Sequence, residues 1–407
     1  EGNINSVSKN SLPPGLIYFS SFHNPLTNLS EDAFDASAGT LQFVSLSESQ
    51  FTGIPTALQK LASLTQLAIR DTLIEQWDPA IVKQLATTLK ELELRNVSLS
   101  AWPSWISDFR LLHKLDLSWN SLRFIPDDAF SSVKDSLVIL DLRGNGLTHV
   151  PYALSILSNL SRLHLSYSNF TNVPALEFIT ETQIAQKLSY LDLDSSGLTR
   201  IANFSVLTSL DTLSLSGNRI SQVPPVSLPA SLSVLYLSDN FLSFVPADIA
   251  RMSNLSFLAL SGNLITWIEP NVFPPSLTYL QLSYNNLTTI TNATFANLSL
   301  LMDLYLDANP ISELCLAAFS ELVSLKYLSM VDSQLTEIPL AFTHLSTEVH
   351  LYWTTNQPLT CPCPASQELI QWFTSRAFAE YIQVKCNSEQ SIRSYLSDQC
   401  GRASTAS

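Results

Sequence analysis

One pattern of hydrophobic and polar positions runs along almost the whole chain. Residues 112–126 read LHKLDLSWNSLRFIP, which places leucines at positions one, four, six and eleven of a unit and asparagine at position nine. The unit recurs every 22–25 residues, with one spacing of 28. Fifteen copies in one phase identify an internal repeat. They begin at residues 16, 41, 64, 89, 112, 137, 160, 188, 210, 232, 255, 277, 301, 325 and, in a degenerate last copy, 348.

The Leu-x-Leu segment of each unit alternates apolar and polar residues, which predicts a short strand with its leucines turned inward. One unit cannot bury that pair alone, but stacked neighbours can. The pattern therefore predicts an α/β solenoid, a curved horseshoe with a concave parallel β-sheet and an irregular or short-helical convex side. We expect Leu117 and Leu215 to be buried, and Asp116 and Ser214 to be exposed on the concave face.

Position nine of the unit is polar in all copies except one, which carries Val97. Serine or threonine fills it in five copies and asparagine in nine. A buried amide there can donate to and accept from turn backbone groups that would otherwise be unpaired. The asparagines are Asn24, Asn120, Asn145, Asn218, Asn240, Asn263, Asn285, Asn309 and Asn356.

The repeat resembles the leucine-rich-repeat family over residues 2–359. Plant receptors of that family usually carry glycine at position thirteen. This chain has glycine there once, at Gly53, and elsewhere residues such as Phe124 and Trp267. It is thus more similar to the animal or protist extracellular type.

Four cysteines follow the last repeat. Cys361, Cys363, Cys386 and Cys400 are similar to the cysteine-flanked C-terminal cap of extracellular leucine-rich-repeat proteins. That resemblance implies the bridges Cys361–Cys386 and Cys363–Cys400, although spacing alone allows three connectivities and a zinc site is an alternative. Cys315 is left over, and we expect a buried free thiol there, with an intermolecular disulfide as the alternative.

These features divide the chain into four segments. Residues 1–15 align with the second half of a later repeat, so we expect a cut N-terminal end, with a short natural polar cap as the alternative. Residues 16–359 form the solenoid of about 15 repeats. Residues 360–400 form the disulfide-bonded cap, in which an amphipathic helix over 366–378 should cover the last core. Residues 401–407 resemble a linker.

Composition narrows the class of protein. Charged residues make up 14% of the chain and the net charge is −14, which argues against a nucleic-acid partner. No run of 18 apolar residues occurs, so no membrane segment is expected within the chain. The histidines are scattered, and metalloprotease, hydrolase and phosphate-loop motifs are absent from the sequence. We therefore expect a protein that is not an enzyme and needs no cofactor or metal.

Sequons support an extracellular, secreted glycoprotein. Nine occur where about five would arise by chance, and cap cysteines point the same way. Asn96 lies at position eight, where a glycan would cover repeats 3–5, unless that sequon is empty. The sequon asparagines are Asn28, Asn96, Asn159, Asn169, Asn203, Asn254, Asn286, Asn292 and Asn297.

Side chains at positions three, five, seven and eight should leave the strands on the concave side. In repeats 10–15 these positions form an aromatic patch. Exposed rings at that density are candidate binding hot spots, because they offer large contact area at low entropic cost. The alternative is self-stacking between adjacent strands, which stabilises the sheet without a partner. The patch comprises Tyr236, Phe257, Tyr279, Tyr284, Tyr305, Tyr327 and Tyr352.

Repeats 3–8 present a charged region at the same positions. Neighbouring acids repel one another, so the adjacent arginines are expected to neutralise them in an ion-pair lattice. The alternative is a polar slot for a charged ligand, flanked by Trp119 and Tyr167 as anchors. The region comprises Arg70, Glu93, Arg95, Asp116, Trp119, Asp141, Arg143, Arg162, His164, Asp192 and Asp194.

The sequence thus predicts the ligand-binding ectodomain of a cell-surface receptor, with a protein or peptide ligand on its concave face. Homo- or hetero-oligomers are compatible with that interpretation. The family's common plan would place a membrane helix beyond the tail. A freely secreted binding or inhibitor protein, and a structural or adhesive component of a wall, matrix or filament, are the alternatives.

Overall fold

The computed structural model describes residues 4–170, 174–361, 365–375, 382, 384–386 and 390–396. The chain divides into two compact units. One comprises Glu1–Leu198 with Ala202–Leu210, and the other Thr199–Ile201 with Asp211–Ser407. Each unit is a stack of the repeats found in the sequence.

In the described part of the first unit, eight strands represent eight successive repeats. Each strand begins two residues after the first position of its repeat, as the alternation predicts. Neighbours pair in parallel with equivalent repeat positions opposite one another, such as Leu115 with Leu140. The strands are Tyr18–Ser21, Phe43–Ser47, Gln66–Arg70, Glu91–Arg95, Lys114–Asp116, Ile139–Asp141, Arg162–His164 and Tyr190–Asp192.

The second unit repeats this arrangement with seven described strands in the same register. Leu258 lies opposite Leu235 on one side and Leu280 on the other. The leucine-rich-repeat fold class predicted from the sequence is therefore confirmed. The strands are Thr212–Ser214, Val234–Tyr236, Phe257–Ala259, Tyr279–Gln281, Asp303–Tyr305, Tyr327–Ser333 and His350–Thr355.

The segments that return from one strand to the next are mostly irregular, with short helices. Among the described residues, every helix is too short or too polar to cross a membrane. The α-helices are Pro79–Leu85, Pro174–Glu181, Gln367–Ser375 and Ile392–Tyr395. The 3₁₀ helices are Asp35–Ser37, Thr56–Lys60, Ser104–Asp108, Tyr152–Ile156, Gln183–Gln186, Phe204–Val206, Ala247–Arg251 and Leu340–His344.

Three further pairs of two-residue strands lie outside the repeat strands. Ser6–Val7 pairs with Asn28–Leu29, and Thr289–Ile290 pairs with Glu313–Leu314, both in parallel. Lys385–Cys386 pairs with Gln390–Ser391 in antiparallel fashion.

The leucines at positions one, four and six form the core, as predicted. Leu117 and Leu215 are fully buried. The prediction that Asp116 and Ser214 are exposed was wrong, because only 8% and 5% of their surfaces remain accessible. Both are short side chains on the face opposite the leucines, with residues of adjacent strands about 4.8 Å away on either side. Longer neighbours such as Tyr236, which lies opposite Ser214, shield them from solvent.

Asparagines at position nine bond successive turns together. Asn120 accepts hydrogen bonds from the backbone N–H groups of Val97 and Leu99, at 3.1 and 3.0 Å. Its Nδ2 donates to the carbonyls of Leu94 and Leu117, at 2.8 and 2.9 Å. Asn145, Asn240, Asn263, Asn285 and Asn309 donate to the equivalent carbonyls, but each accepts from one N–H, that of position eleven in the preceding repeat; Asn218 is also buried.

The two terminal asparagines of this column depart from the predicted burial. Asn24 is half-buried and accepts from the Ile4 N–H at 3.2 Å. Asn356 is exposed, since it belongs to the degenerate last copy.

Position eight has a left-handed backbone in every repeat but the last, a feature that the sequence pattern did not indicate. Three of these fourteen residues are glycine, and the others are ordinary residues held at positive φ by the strand-to-turn geometry. They are His23, Glu48, Asp71, Asn96, Trp119, Gly144, Tyr167, Ser195, Gly217, Asp239, Gly262, Tyr284, Ala308 and Asp332.

Aromatic residues cover the end of the core that follows the last repeat. Trp353 occupies position six, where other repeats have leucine, and its indole is fully buried. Trp372 of the Gln367–Ser375 helix packs against Phe342 and donates to the Leu345 carbonyl at 2.8 Å. This helix confirms the predicted one for the described residues 367–375. Of the other predicted positions, 366 precedes the helix and 376–378 lie outside the described residues.

Cysteines 361 and 386 are joined by a disulfide, as the resemblance implied. The other implied bridge, Cys363–Cys400, involves residues outside the described part of the chain. Cys315 is a free thiol, but it is half-buried rather than buried, because it lies where the chain has left the core.

Replacing Asn120 by alanine should leave up to four buried backbone groups of two turns unpaired. We expect the free energy of unfolding to fall by at least about 2 kcal/mol, measured by denaturant titration. Asn356→Ala, at the same repeat position but exposed, is the matched control and should change it by less than about 0.5 kcal/mol. Equal losses in the two variants would contradict a structural role for the buried amide.

Candidate ligand-binding faces

Each unit has an open face, which we define as the side of its strands opposite the buried leucines. Positions three, five and seven project from it, and position eight begins the turn at its edge. The first unit carries the charged region and the second carries the aromatic residues.

Six aromatic rings on six successive strands of the second unit form an aromatic ladder. Neighbouring ring centroids are 4.5–5.3 Å apart, and Phe257 and Tyr279 are stacked with only 9° between their planes. The rings are half-buried rather than exposed, because each covers part of the next. The aromatic ladder consists of Tyr236, Phe257, Tyr279, Tyr305, Tyr327 and Tyr352.

The ladder switches between positions three and five along its length. Tyr279 lies directly opposite Asp303, and Tyr305 lies opposite Gln281, so the two tyrosines meet diagonally. Aromatic side chains are long enough to make such diagonal contacts between strands. Tyr284, which the sequence placed in the same patch, is at position eight, 68% exposed, and outside the ladder.

Polar groups fix the orientation of the central rings. Gln281 donates from Nε2 to the Tyr279 hydroxyl at 2.9 Å. Burial and a hydrogen bond with Tyr279 raise the pKa of the Tyr305 hydroxyl. The Asp307 carboxylate accepts three hydrogen bonds, from the Val331 N–H at 2.8 Å and from the hydroxyls of Ser283 and Ser329.

Ion pairs occupy much of the charged region of the first unit. Arg70 forms a two-point contact with Glu93, with one N–O distance of 2.7 Å. Arg143 donates from two nitrogens to a single oxygen, Oδ2 of Asp141. These contacts are those of the ion-pair lattice that the sequence suggested.

The remaining basic residues of this region are placed differently. Arg162 lies over the Tyr190 ring at 4.9 Å from its centroid. His164 Nδ1 is 3.5 Å from Asp192. Arg95 is exposed and, among the described residues, makes no ion pair.

Asp116 and Asp192 both occupy position five of their repeats, but their pKa values are shifted in opposite directions. Burial and the neighbouring charge of Asp141 raise the pKa of Asp116. Burial also acts to raise the pKa of Asp192, but interactions with His164, the Asp194 N–H and Ser166 outweigh it, and the pKa is lowered. Asp116 accepts a hydrogen bond from the Ser118 N–H at 2.8 Å and forms no ion pair among the described residues.

Two aromatic residues at position eight lie at the edge of this face. Trp119 and Tyr167 are 39% and 52% exposed, with ring centroids 5.0 Å apart, although a full repeat separates them. Gly144, in the repeat between them, makes the contact possible. A Cβ atom there would lie 2.7 Å from two atoms of the Trp119 indole.

Asn96 lies beside this pair. It is exposed, and its Nδ2 donates to Asp71 at 2.8 Å. With Arg95 and Trp119 these residues line a depression of about 330 Å³. The other eight sequon asparagines are also exposed, but none of them occupies position three, five, seven or eight.

Within the described residues, no group of three or more His, Cys, Asp or Glu side chains is arranged to hold a metal ion.

Replacing Asp116 by asparagine should stabilise the protein at neutral pH. The folded-state pKa is raised, so the folded protein holds this proton more tightly and loses stability as pH rises from the ordinary pKa through the raised one. Asp116→Asn removes that loss. We expect a higher Tm than wild type at pH 7 and no difference below the ordinary pKa.

Asp127→Asn, which neutralises an exposed carboxylate of the same unit, is the control and should leave Tm unchanged at both pH values. A gain in stability from Asp116→Asn that persists unchanged at low pH would contradict the electrostatic origin.

Replacing Gly144 by alanine should displace the Trp119 ring. The residue has a φ of 67°, so the added methyl also strains the backbone, and we expect a loss of at least about 1–2 kcal/mol of stability. Gly39→Ala, where a Cβ meets no atom within 4 Å, is the matched control. The Trp119 indole resonance should shift in the first variant alone, and an unchanged resonance in both would refute the contact.

Comparisons with known proteins agree with this architecture. A sequence model described as "Leucine rich repeat" matches residues 110–170, 208–265, 258–311 and 275–335. A solved leucine-rich-repeat protein of Leptospira interrogans is 26% identical, with a TM-score of 0.69 and 84% of each chain covered. The Toll chain of the Drosophila Toll–Spatzle complex is 21% identical, with a TM-score of 0.69 over 86% of this chain.

The lengths of these relatives differ from that of this chain. The match covers 48% of the Toll chain. A probable serine/threonine-protein kinase of Dictyostelium discoideum, pats1, is 32% identical over 112 residues, which is 26% of this chain and 4% of the kinase. The segments that match the sequence model are leucine-rich repeats, and the chain has the leucine-rich-repeat fold.

Proposed function

We propose that this chain is the extracellular ligand-binding region of a receptor and that it binds a protein or peptide on the open face of its second unit. The observation that carries the proposal is the aromatic ladder. Its six rings are half-buried, so each keeps part of its surface open to a partner. Aromatic residues in well-packed surroundings dominate the binding energy of many protein interfaces.

The stacking of the rings favours binding rather than arguing against it. Each ring is already held by its neighbours at 4.5–5.3 Å, so little side-chain freedom remains to be lost when a partner arrives. Self-stacking and binding, which the sequence left as alternatives, are therefore compatible. The charged region is the weaker candidate, because its arginines at Arg70 and Arg143 are engaged by acids of the same face.

The known use of the fold supports a binding role. Leucine-rich repeats typically act as non-enzymatic scaffolds for protein interaction, and the Toll chain was solved in complex with Spatzle. The likeness to Toll is one of fold, so it supports the class of function and not a particular partner.

An extracellular location is supported by two observations. The Cys361–Cys386 disulfide belongs to an oxidising compartment, and all nine sequon asparagines are exposed and accessible to glycosylation. The four sequons at Asn254, Asn286, Asn292 and Asn297 lie off the open face of the second unit. Glycans there would leave the ladder uncovered, whereas a glycan on Asn96 would cover part of the charged region.

Removing the central rings of the ladder should weaken partner binding. We expect Tyr279→Ala and Tyr305→Ala each to raise the Kd by roughly 30-fold, about 2 kcal/mol, because each deletes a pre-positioned contact surface. The partner is first isolated by comparing proteins captured on the wild-type chain and on the double variant. Its affinity is then measured by calorimetry.

Tyr18→Ala is the matched control. Tyr18 also occupies position three and stacks on the ring of the next strand, Phe43, at 4.4 Å, so the substitution removes the same packing in the first unit. It should leave binding unchanged. If a partner binds the two ladder variants as well as it binds wild type, the ladder only packs the sheet and the proposed function fails.

A further inference from the structure

The open face around the ladder is acidic. In repeats 10–15, positions three, five, seven and eight carry four carboxylates and neither lysine nor arginine. The wider segment 232–359 contains ten acidic and two basic residues, and one of the two, Arg251, is paired with Asp248. The four carboxylates of the open face are Asp239, Asp303, Asp307 and Asp332.

Asp303 occupies a special place among them. It lies at position three, directly opposite Tyr279 on one neighbouring strand and Tyr327 on the other. The carboxylate is half-buried, and burial raises its pKa against the opposing charge of Lys326. Among the described residues it accepts no hydrogen bond and forms no ion pair within 4 Å. Asp307, four residues further along the chain, by contrast accepts hydrogen bonds from three donors.

A cation is the group that such a position can hold. The negative faces of aromatic rings attract Lys and Arg side chains, and the attraction grows when the site is partly desolvated. A half-buried carboxylate on the strand between those of Tyr279 and Tyr327 adds direct charge pairing beside the rings. The acidic surroundings disfavour an acidic partner and speed the approach of a basic one.

We propose that the ladder binds an extended basic segment of a partner protein, with a lysine or arginine side chain seated at Asp303 between Tyr279 and Tyr327. This inference rests on the proposed function and names the chemistry of its partner. The hydrophobic part of the side chain covers the rings while its charge meets the carboxylate. The remaining carboxylates of the face attract the flanking basic residues of the segment.

The test uses a fluorescent peptide of alternating lysine and glycine, and the same peptide with every lysine acetylated. Binding to the whole chain is followed by anisotropy at physiological salt, where weak long-range attraction is screened. We expect the basic peptide to bind at least ten times more tightly than the acetylated one. Asp303→Asn should weaken its binding at least five-fold.

Glu321→Gln is the matched control. Glu321 is exposed and lies off the open face, and its substitution removes the same amount of charge as Asp303→Asn. It should change the Kd by less than two-fold. Equal weakening by the two variants would mean that the acidic chain attracts the peptide without a site, and tight binding of the acetylated peptide would mean that charge is not recognised. Either result overturns the inference.

The same variants separate this inference from the proposed function. A partner that is lost on Tyr279→Ala and Tyr305→Ala, and also weakened by Asp303→Asn, supports both. A partner that needs the two tyrosines but binds Asp303→Asn normally overturns the basic segment and leaves the proposed function standing. A partner indifferent to the tyrosines overturns the proposed function itself.

Discussion

The structure depends above all on how each repeat satisfies the backbone of the turn before it. In every repeat but the last, the chain turns at position eight through a left-handed residue, which directs the following N–H and carbonyl groups into the interior. Unpaired, these groups would each be costly to bury. The amide of Asn263 accepts from the Leu242 N–H of one turn and donates to carbonyls of both repeats. Because each amide joins its own repeat to its neighbour, the stacking of repeats and the closing of turns are one interaction rather than two.

The sequence predicted the strands because their determinants are local and repeated. A leucine that recurs at fixed phase reveals both the start of a strand and its inward face. Single-residue departures lack that signal. Nothing in the letters at positions 119, 167 and 284 indicates a left-handed backbone, since tryptophan and tyrosine rarely adopt it. Similarly, Asp116 was expected in solvent because its face was assigned correctly but the side chains that shield it belong to other repeats. Exposure on a face is a property of neighbours, which a one-dimensional pattern does not contain.

The candidate sites follow the same division. The sequence identified their members by repeat position. In the structure, the ladder residues and the charged residues do lie on the open faces of their units. The sequence could not show which residues within the ladder, or within the charged region, contact one another. The ladder crosses between positions three and five, so reading one repeat position alone misses four of its five contacts. In the charged region, the choice between a lattice and an open slot depends on whether guanidinium groups reach the neighbouring acids. Arg70 and Arg143 reach them, while Arg162 turns to the Tyr190 ring instead.

One fold thus carries two surfaces whose energetics differ. In the first unit, Arg70 and Arg143 already form ion pairs with acids of the open face, and a ligand would have to displace these ion pairs to bind the same groups. In the second unit, the rings stack on one another, yet each is only half-buried and keeps part of its surface accessible. Among the residues that the structure describes, Asp303 makes no hydrogen bond or ion pair within 4 Å, and it lies opposite Tyr279 and Tyr327 on the two neighbouring strands. An aromatic surface whose rings are already held by stacking and whose carboxylate has no ion-pair partner among the described residues favours a cationic ligand more than a surface whose charges are already paired. Binding there adds an interaction without first breaking another.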